Sequence, residues 1–163
     1  MTQNPYAAYV EGRDLLACLA ETPARIEALV SGWPRARDEQ SYAPGKWTAR
    51  AILAHLAQCE MVFSTRLRFA LAVESYELTP FEQDDWMAVE APVTALDALA
   101  AYAGMRRMNL ALCRSLDAAQ RAKPVRHPEH GAITVEWIIA FFAGHERNHL
   151  AQFETIAAPP ATA

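Results

Sequence analysis

The chain has 163 residues, with 52% hydrophobic residues and a formal charge of −4 from 15 Lys and Arg against 19 Asp and Glu. This is the size of one ordinary domain with enough apolar material for a sizeable core, so a single domain over residues 1–163 is expected. The charges are scattered and mildly acidic, which excludes the basic face or arm of a nucleic-acid binder, and no apolar run approaches the roughly 18 residues of a membrane span.

Met1 to Pro5 is polar and lacks a signal-peptide pattern, so a cytoplasmic protein is expected. Alternating Val/Ile/Thr/Tyr runs are absent and no repeat of 20–50 residues is visible, which leaves helix as the default. The first helical region spans about Tyr6 to Val30. It is expected to break at Thr22-Pro23, with Thr22 as N-cap and Pro23 in the first helical position, because an interior proline costs about 3 kcal/mol. Ile26, Leu29 and Val30 then form an apolar stripe, and Gly32 and Pro34 end it. Trp33 to Trp47 reads as a polar connection.

Thr48 caps a second helix running to about Ser75, with Ile52, His55, Leu56, Cys59, Val62, Phe63 and Arg66 at helical spacing. Tyr76 to Val93, with Pro80, Pro92 and acidic Glu82 to Asp85, reads as a long loop of the kind that often carries function. Thr94, with Asp97 three residues on, opens a third helix to about Leu116. Its stripe is Leu96, Leu99, Ala103, Arg106, Leu110 and Cys113. A short helical piece at Ala118 to Ala122 precedes a loop from Lys123 to Ile133 holding His127 and His130. Thr134 caps a fourth helix to about Ala157, with Ile138, Phe142, His145, His149, Gln152, Phe153 and Ile156 inward and Pro159-Pro160 as its stop. Four long helices with core-facing stripes make an all-α four-helix bundle, and two long connections exclude a plain chain of hairpins.

Cys18, Cys59 and Cys113 are odd in number and far apart, so no disulfide framework is expected; buried, inert thiols are the reading. The chemistry lies in the histidines. His145 and His149, four apart, share a helix face, and His55 stands on the apolar side of another helix. Three neutral imidazoles meeting in a bundle core hold a divalent metal and leave coordination positions open. The competing reading is a set of hydrogen-bonded core histidines. Gly144, costly inside a helix, either admits a neighbouring backbone or a ligand at the level of His145 or answers a packing need against a bulky side chain.

His145-Glu146-Arg147-Asn148-His149 also matches the HExxH pattern of zinc peptidases, with Glu146 as general base. A third acidic ligand is then needed downstream, and only Glu154 follows; five residues on, about 500° around the axis, it faces away from the pair. His127 and His130 read as solvated loop residues or as groups near the open end of a site. Trp33, Trp47, Trp86 and Trp137 read as bundle caps.

Three stretches together resemble the DinB-like superfamily, over roughly Ala24 to Ile156: Pro44 to Thr48 leading into Ile52-Leu53-Ala54-His55-Leu56 and Glu60; Gly131 and Thr134; and Gly144 to Gln152. The resemblance implies a four-helix bundle whose third helix follows a long crossover, a zinc or nickel site on His55, His145 and His149, and a homodimer. It implies a small-molecule substrate, and characterised relatives transfer low-molecular-weight thiols. A metal-dependent thiol-S-transferase acting on a small electrophile is the leading expectation. A stress-related binding module with a structural metal and a metal-dependent hydrolase stay open. Arg66, Arg106 and Arg147 are candidates to hold an anionic substrate, and each is more often a solvated surface charge.

Overall fold

A computed structural model describes residues 3–159; Met1, Thr2 and the Pro160 half of the Pro159-Pro160 stop lie outside the described residues. A short 3-10 turn at Ala7–Tyr9 precedes helix α1, Leu15–Ser31, whose N-cap Asp14 accepts the Ala17 N–H at 2.9 Å. The sequence reading started this helix at Tyr6 and broke it at Pro23, and both points are corrected: α1 begins later and runs unbroken through Pro23. Proline leaves the carbonyl four residues back without its N–H. Here that carbonyl, Leu19 O, accepts Arg106 Nη1 at 3.4 Å, and the Thr22 hydroxyl takes Cys18 O at 2.9 Å. A tertiary donor thus replaces the lost helical bond.

Helix α2, Ala49–Ala72, starts where Thr48 accepts from Ala51 N, and ends three residues before the expected Ser75. The long crossover is not bare loop, as the sequence suggested: it contains α3, Gln83–Val89, whose first turn carries Asp84 and Asp85, the charge sign that a helix N-terminus favours. Helix α4, Ala95–Ser115, is capped by Thr94, and α5, Ala118–Ala122, by an Asp117–Gln120 capping box. Strands β1, Pro124–His127, and β2, Gly131–Thr134, form an antiparallel hairpin where a loop was expected. Four-residue strands are too short to leave a period in sequence. What holds them is burial of Val125 and Ile133, which face each other in register. Helix α6, Val135–Ala157, follows from the Thr134 cap.

The bundle helices are α1, α2, α4 and α6. The packing pairs are α2 with α4, α1 with α6, α1 with α4 and α2 with α6. Helices α1 and α2 therefore stand on one diagonal, and α4 and α6 on the other. Arg126 ties the hairpin to the crossover: its carbonyl accepts Leu78 N at 2.8 Å and its N–H donates to Tyr76 O at 3.0 Å.

Two apolar clusters fill the interior. One holds Leu19, Phe63, Leu67, Leu110, Ile138 and Phe142; the other holds Ile26, Ile52, Leu53, Tyr102, Leu150 and Phe153. Every bundle helix passes from one cluster to the other. The changeover on α2, α4 and α6 is marked by buried polar side chains: His55 and Glu60; Arg106 and Asn109; His145, Glu146 and His149. This polar level is where the candidate chemistry sits. On α4 the expected inner stripe needs one correction: Leu96 is exposed, while Ala95, Ala98, Tyr102 and Asn109 point inward. Among the described residues, no helix is long and apolar enough to cross a membrane.

Candidate metal centre

His55 from α2 and His145 and His149 from α6 meet as the sequence reading expected. His145 Nε2 lies 3.3 Å from His55 Nε2 and 3.1 Å from His149 Nε2. One ligand atom from each residue lies within 4.8 Å of the others, and all three residues are buried. Burial, then the neighbouring imidazole His149, pushes His55 down to about 3. Burial pushes His149 down to about 4 against the Gln152 hydrogen bond, and holds His145 well below the ordinary range, with His149, His55 and Arg106 adding to it. All three are neutral imidazoles at neutral pH, the form that binds metal.

The donor set fits a divalent ion. His149 Nδ1 sits 2.8 Å from Gln152 Oε1. An amide oxygen only accepts, so Nδ1 carries the proton and Nε2 keeps its lone pair toward the cluster. One N–H···N bond can quiet one close pair, not all three nitrogens. His145 Nδ1 is buried with no hydrogen-bond partner. A cation held by the three Nε2 atoms satisfies them together, and three imidazoles leave further coordination positions free.

In the metal-free protein, the depressed values make stability fall with acid. Unfolded histidines take up protons near pH 6.5, whereas folded His149 and His55 stay neutral down to about 4 and about 3. Between these limits the unfolded state binds more protons. Stability is therefore expected to drop as pH falls below 6.5, by up to about 1.4 kcal/mol per pH unit for each histidine. Urea midpoints of chelator-treated protein from pH 7 to 4.5 check this; a flat profile contradicts neutral burial.

Aromatic walls surround the cluster. The Trp47 ring lies 4.9 Å from that of His55, and Phe81 lies parallel to His55 at 6.2 Å. The Tyr6 ring meets His145 edge-on at 5.2 Å. Tyr6 lines both cavities that reach His145, of about 240 and 340 Å³. Nothing local in the sequence around Tyr6 signalled this role. The signal sits instead at Gly144, where a Cβ would stand 2.6 Å from Tyr6 O and 2.7 Å from Tyr6 Cβ. Gly144 is there for close backbone approach, and it seats the N-terminal segment on α6. Gly144→Ala is expected to destabilise the fold by about 1–3 kcal/mol and to weaken metal retention, read by thermal melting and metal content. Unchanged values would mean the segment shifts without consequence.

The remaining sequence candidates divide. Trp47 is corrected from bundle cap to site wall. His127 and His130 are corrected from solvated loop residues to cavity lining, with His127 buried. With Glu129 they form a second cluster of ligand atoms within 4.8 Å. His127 Nδ1, however, already accepts the Glu129 and His130 backbone N–H groups, at 3.1 and 3.3 Å. Cys59, one turn after His55, has its Sγ 3.4 Å from His55 Nε2. All three cysteines are free and buried, and burial pushes the Cys59 thiol far up and that of Cys113 up to about 11, as inert thiols require. Glu146 lines neither cavity at the histidines; it pairs with Arg106, which also pairs with Glu60. Arg106 is thus a core residue rather than a substrate contact. Arg147 donates from Nε to Tyr9 O at 3.0 Å and is likewise occupied elsewhere. Glu154 pairs with Arg25 on the surface, away from the histidines.

The chain is similar to known proteins over most of its length. The family model described as the DinB superfamily matches residues 19–153. A candidate metal-dependent hydrolase of Oceanobacillus iheyensis is 26% identical over 125 residues, 72% of this chain and 69% of that protein. YfiT of Bacillus subtilis, also named as a candidate metal-dependent hydrolase, is 25% identical over 143 residues, 85% of this chain and 80% of that protein. The solved structure of Bacillus subtilis YfiT, described as an unusual four-helix bundle topology, superposes with a TM-score of 0.80 at 23% identity, covering 87% of this chain and 83% of that one.

Proposed function

The chain belongs to the DinB superfamily, and from that premise we propose that it is a metal-dependent enzyme that transfers a low-molecular-weight thiol to a small electrophile. One observation carries the reading: three buried, neutral imidazoles bring one ligand atom each within 4.8 Å of the others, with His145 lining two cavities, of which His55 lines one and His149 the other. His55, His145 and His149 would hold zinc or nickel. Such an ion, when bound, lowers the pKa of a coordinated thiol or water and so supplies a nucleophile at neutral pH.

The chain's own residues do the rest. Gln152 fixes the His149 ring with Nε2 inward. Trp47, Phe81 and Phe141 supply apolar walls that limit water beside the reacting atoms. The choice of thiol over water rests on Glu146. The carboxylate that would act as base in a zinc peptidase is buried against Arg106. Glu82, Glu129 and Asp84 line the cavities, but among the described residues no carboxylate is hydrogen-bonded to the three histidines. A nucleophile that gives up its proton readily suits such a site, and a thiol, with an ordinary pKa near 8.5, does so far more readily than water.

The test pairs elemental analysis with a panel of thiols and small electrophiles. Near-stoichiometric metal, transfer in the metal-loaded protein and at least about a hundredfold loss in His55→Ala are expected. Full turnover in chelator-treated protein sinks the reading. The names of the relatives favour a second reading, hydrolysis of a small substrate at the same histidines; metal-dependent hydrolysis without thiol transfer would select it.

A further inference from the structure

Arg66 is a buried cation with no carboxylate among the described residues at ion-pair distance, Glu129 acting on it only through space. It is 8% exposed, and Nη2 donates to Thr79 O at 3.0 Å. Nε is buried with no hydrogen-bond partner. Glu82 and Glu129 line the same cavity, yet neither forms an ion pair with Arg66. This contrasts with Arg106, which holds two carboxylates. Taking a guanidinium out of water without a partner anion is costly, and such a group persists where a ligand completes it. A guanidinium offers a planar fork that matches a carboxylate.

Position supports this. Arg66 follows His55 by 11 residues, about 1100° around α2 and so within roughly 20° of the same face. The two Cα atoms are about 16 Å apart along the axis, and side chains lean toward the helix N-terminus, which carries the guanidinium back toward His55. Both residues line the cavity of about 240 Å³. That cavity is thus lined both by two of the three clustered histidines, His55 and His145, and by a guanidinium whose Nε has no hydrogen-bond partner.

We propose that Arg66 forms an anion subsite in the metal cavity, so that the substrate carries a carboxylate or similar small anion several bonds from its reacting atom. The proposal rests on the three-histidine site as the reacting end, and it assigns the substrate class that site would take.

The test is calorimetric titration of zinc-loaded protein with the monohydroxamate of adipic acid and with its terminal amide, which share the metal-directed group and differ only in tail charge. The carboxylate form is expected to bind about tenfold or more tightly than the amide. Arg66→Gln is expected to remove that preference while leaving the amide's affinity unchanged. Equal affinities in the wild-type protein overturn the proposal, and that comparison needs no variant to fold. If the protein takes up no zinc, or neither hydroxamate binds, the metal reading fails, and hexanoate against hexanamide then decides the subsite separately. A preference for hexanoate that Arg66→Gln abolishes supports the subsite; equal binding overturns it.

Discussion

Replacing Arg106 with methionine is expected to lower stability by about 3–5 kcal/mol, the range seen when one member of a buried ion pair is removed. Arg106 is 2% exposed. Its Nη1 donates to Glu146 Oε2 at 2.7 Å, and Nη2 pairs with Glu60. Asn109 Nδ2 also donates to Glu60 Oε2, at 2.9 Å, and Arg68 Nη1 in turn holds Asn109 Oδ1 at 2.9 Å. Methionine fills much of the volume, so packing loss is small. The cost comes from two carboxylates left in the interior with one cation fewer, and from Leu19 O, which Pro23 has already deprived of its helical donor. At about 2–4 °C per kcal/mol for a chain of this size, the melting point should fall by roughly 6–20 °C. A fall equivalent to under about 1 kcal/mol would mean that Glu60 and Glu146 find other partners and that this network does not hold the four helices in register. Glu146→Gln separates structure from chemistry in the same assay. It is expected to cost stability while leaving metal content near one ion per chain, whereas a catalytic base would lose turnover at constant melting temperature.

The parts of this molecule legible in sequence are those that repeat at helical period. His55, Leu56, Cys59, Val62, Phe63 and Arg66 announced both a helix and its inward face, because 3.6-residue spacing survives the presence of polar members. The Thr48, Thr94 and Thr134 caps marked helix starts to the residue. The histidine pair on α6 was readable for the same reason, and so was His55, which stands on the apolar side of its own helix; the family resemblance named the same three residues. What was not legible depends on contacts between distant segments. Pro23 stays in an unbroken helix, and the Leu19 O it orphans is taken by a donor 87 positions away. The hairpin at 124–134 has strands too short for a period, and its pairing with the crossover at Tyr76 and Leu78 is tertiary. Tyr6 reaches the site because α6 lacks a Cβ at Gly144. Arg66, Arg106 and Arg147 looked alike in sequence; only the interior decides which is paired, which is tethered and which is left open.

Replacing His145 with alanine is expected to reduce bound metal from near one ion per chain to below about a tenth, the largest effect of any single change at the site. His145 is the middle member: its Nε2 is the one within 3.3 Å of both other rings. Without it, His55 and His149 offer two donors, short of the three protein ligands that an open site uses. The loss should appear in stability as well as in content. A ligand that binds only the folded state stabilises by about 2.7 kcal/mol at a hundred times its dissociation constant, so zinc should raise the wild-type melting point by several degrees and leave His145→Ala unmoved. Gln152→Leu tests the same geometry at one remove. It frees the His149 ring without removing a ligand, so affinity should fall by about 10–100-fold with full occupancy still reachable at high zinc. Undiminished metal in His145→Ala would move the ion elsewhere, and the His127, Glu129 and His130 group at the cavity rim is where it would have to be sought. The two locations differ in their dependence on Gln152, which touches His149 and not the rim, so the pair of variants assigns the ion to one of them.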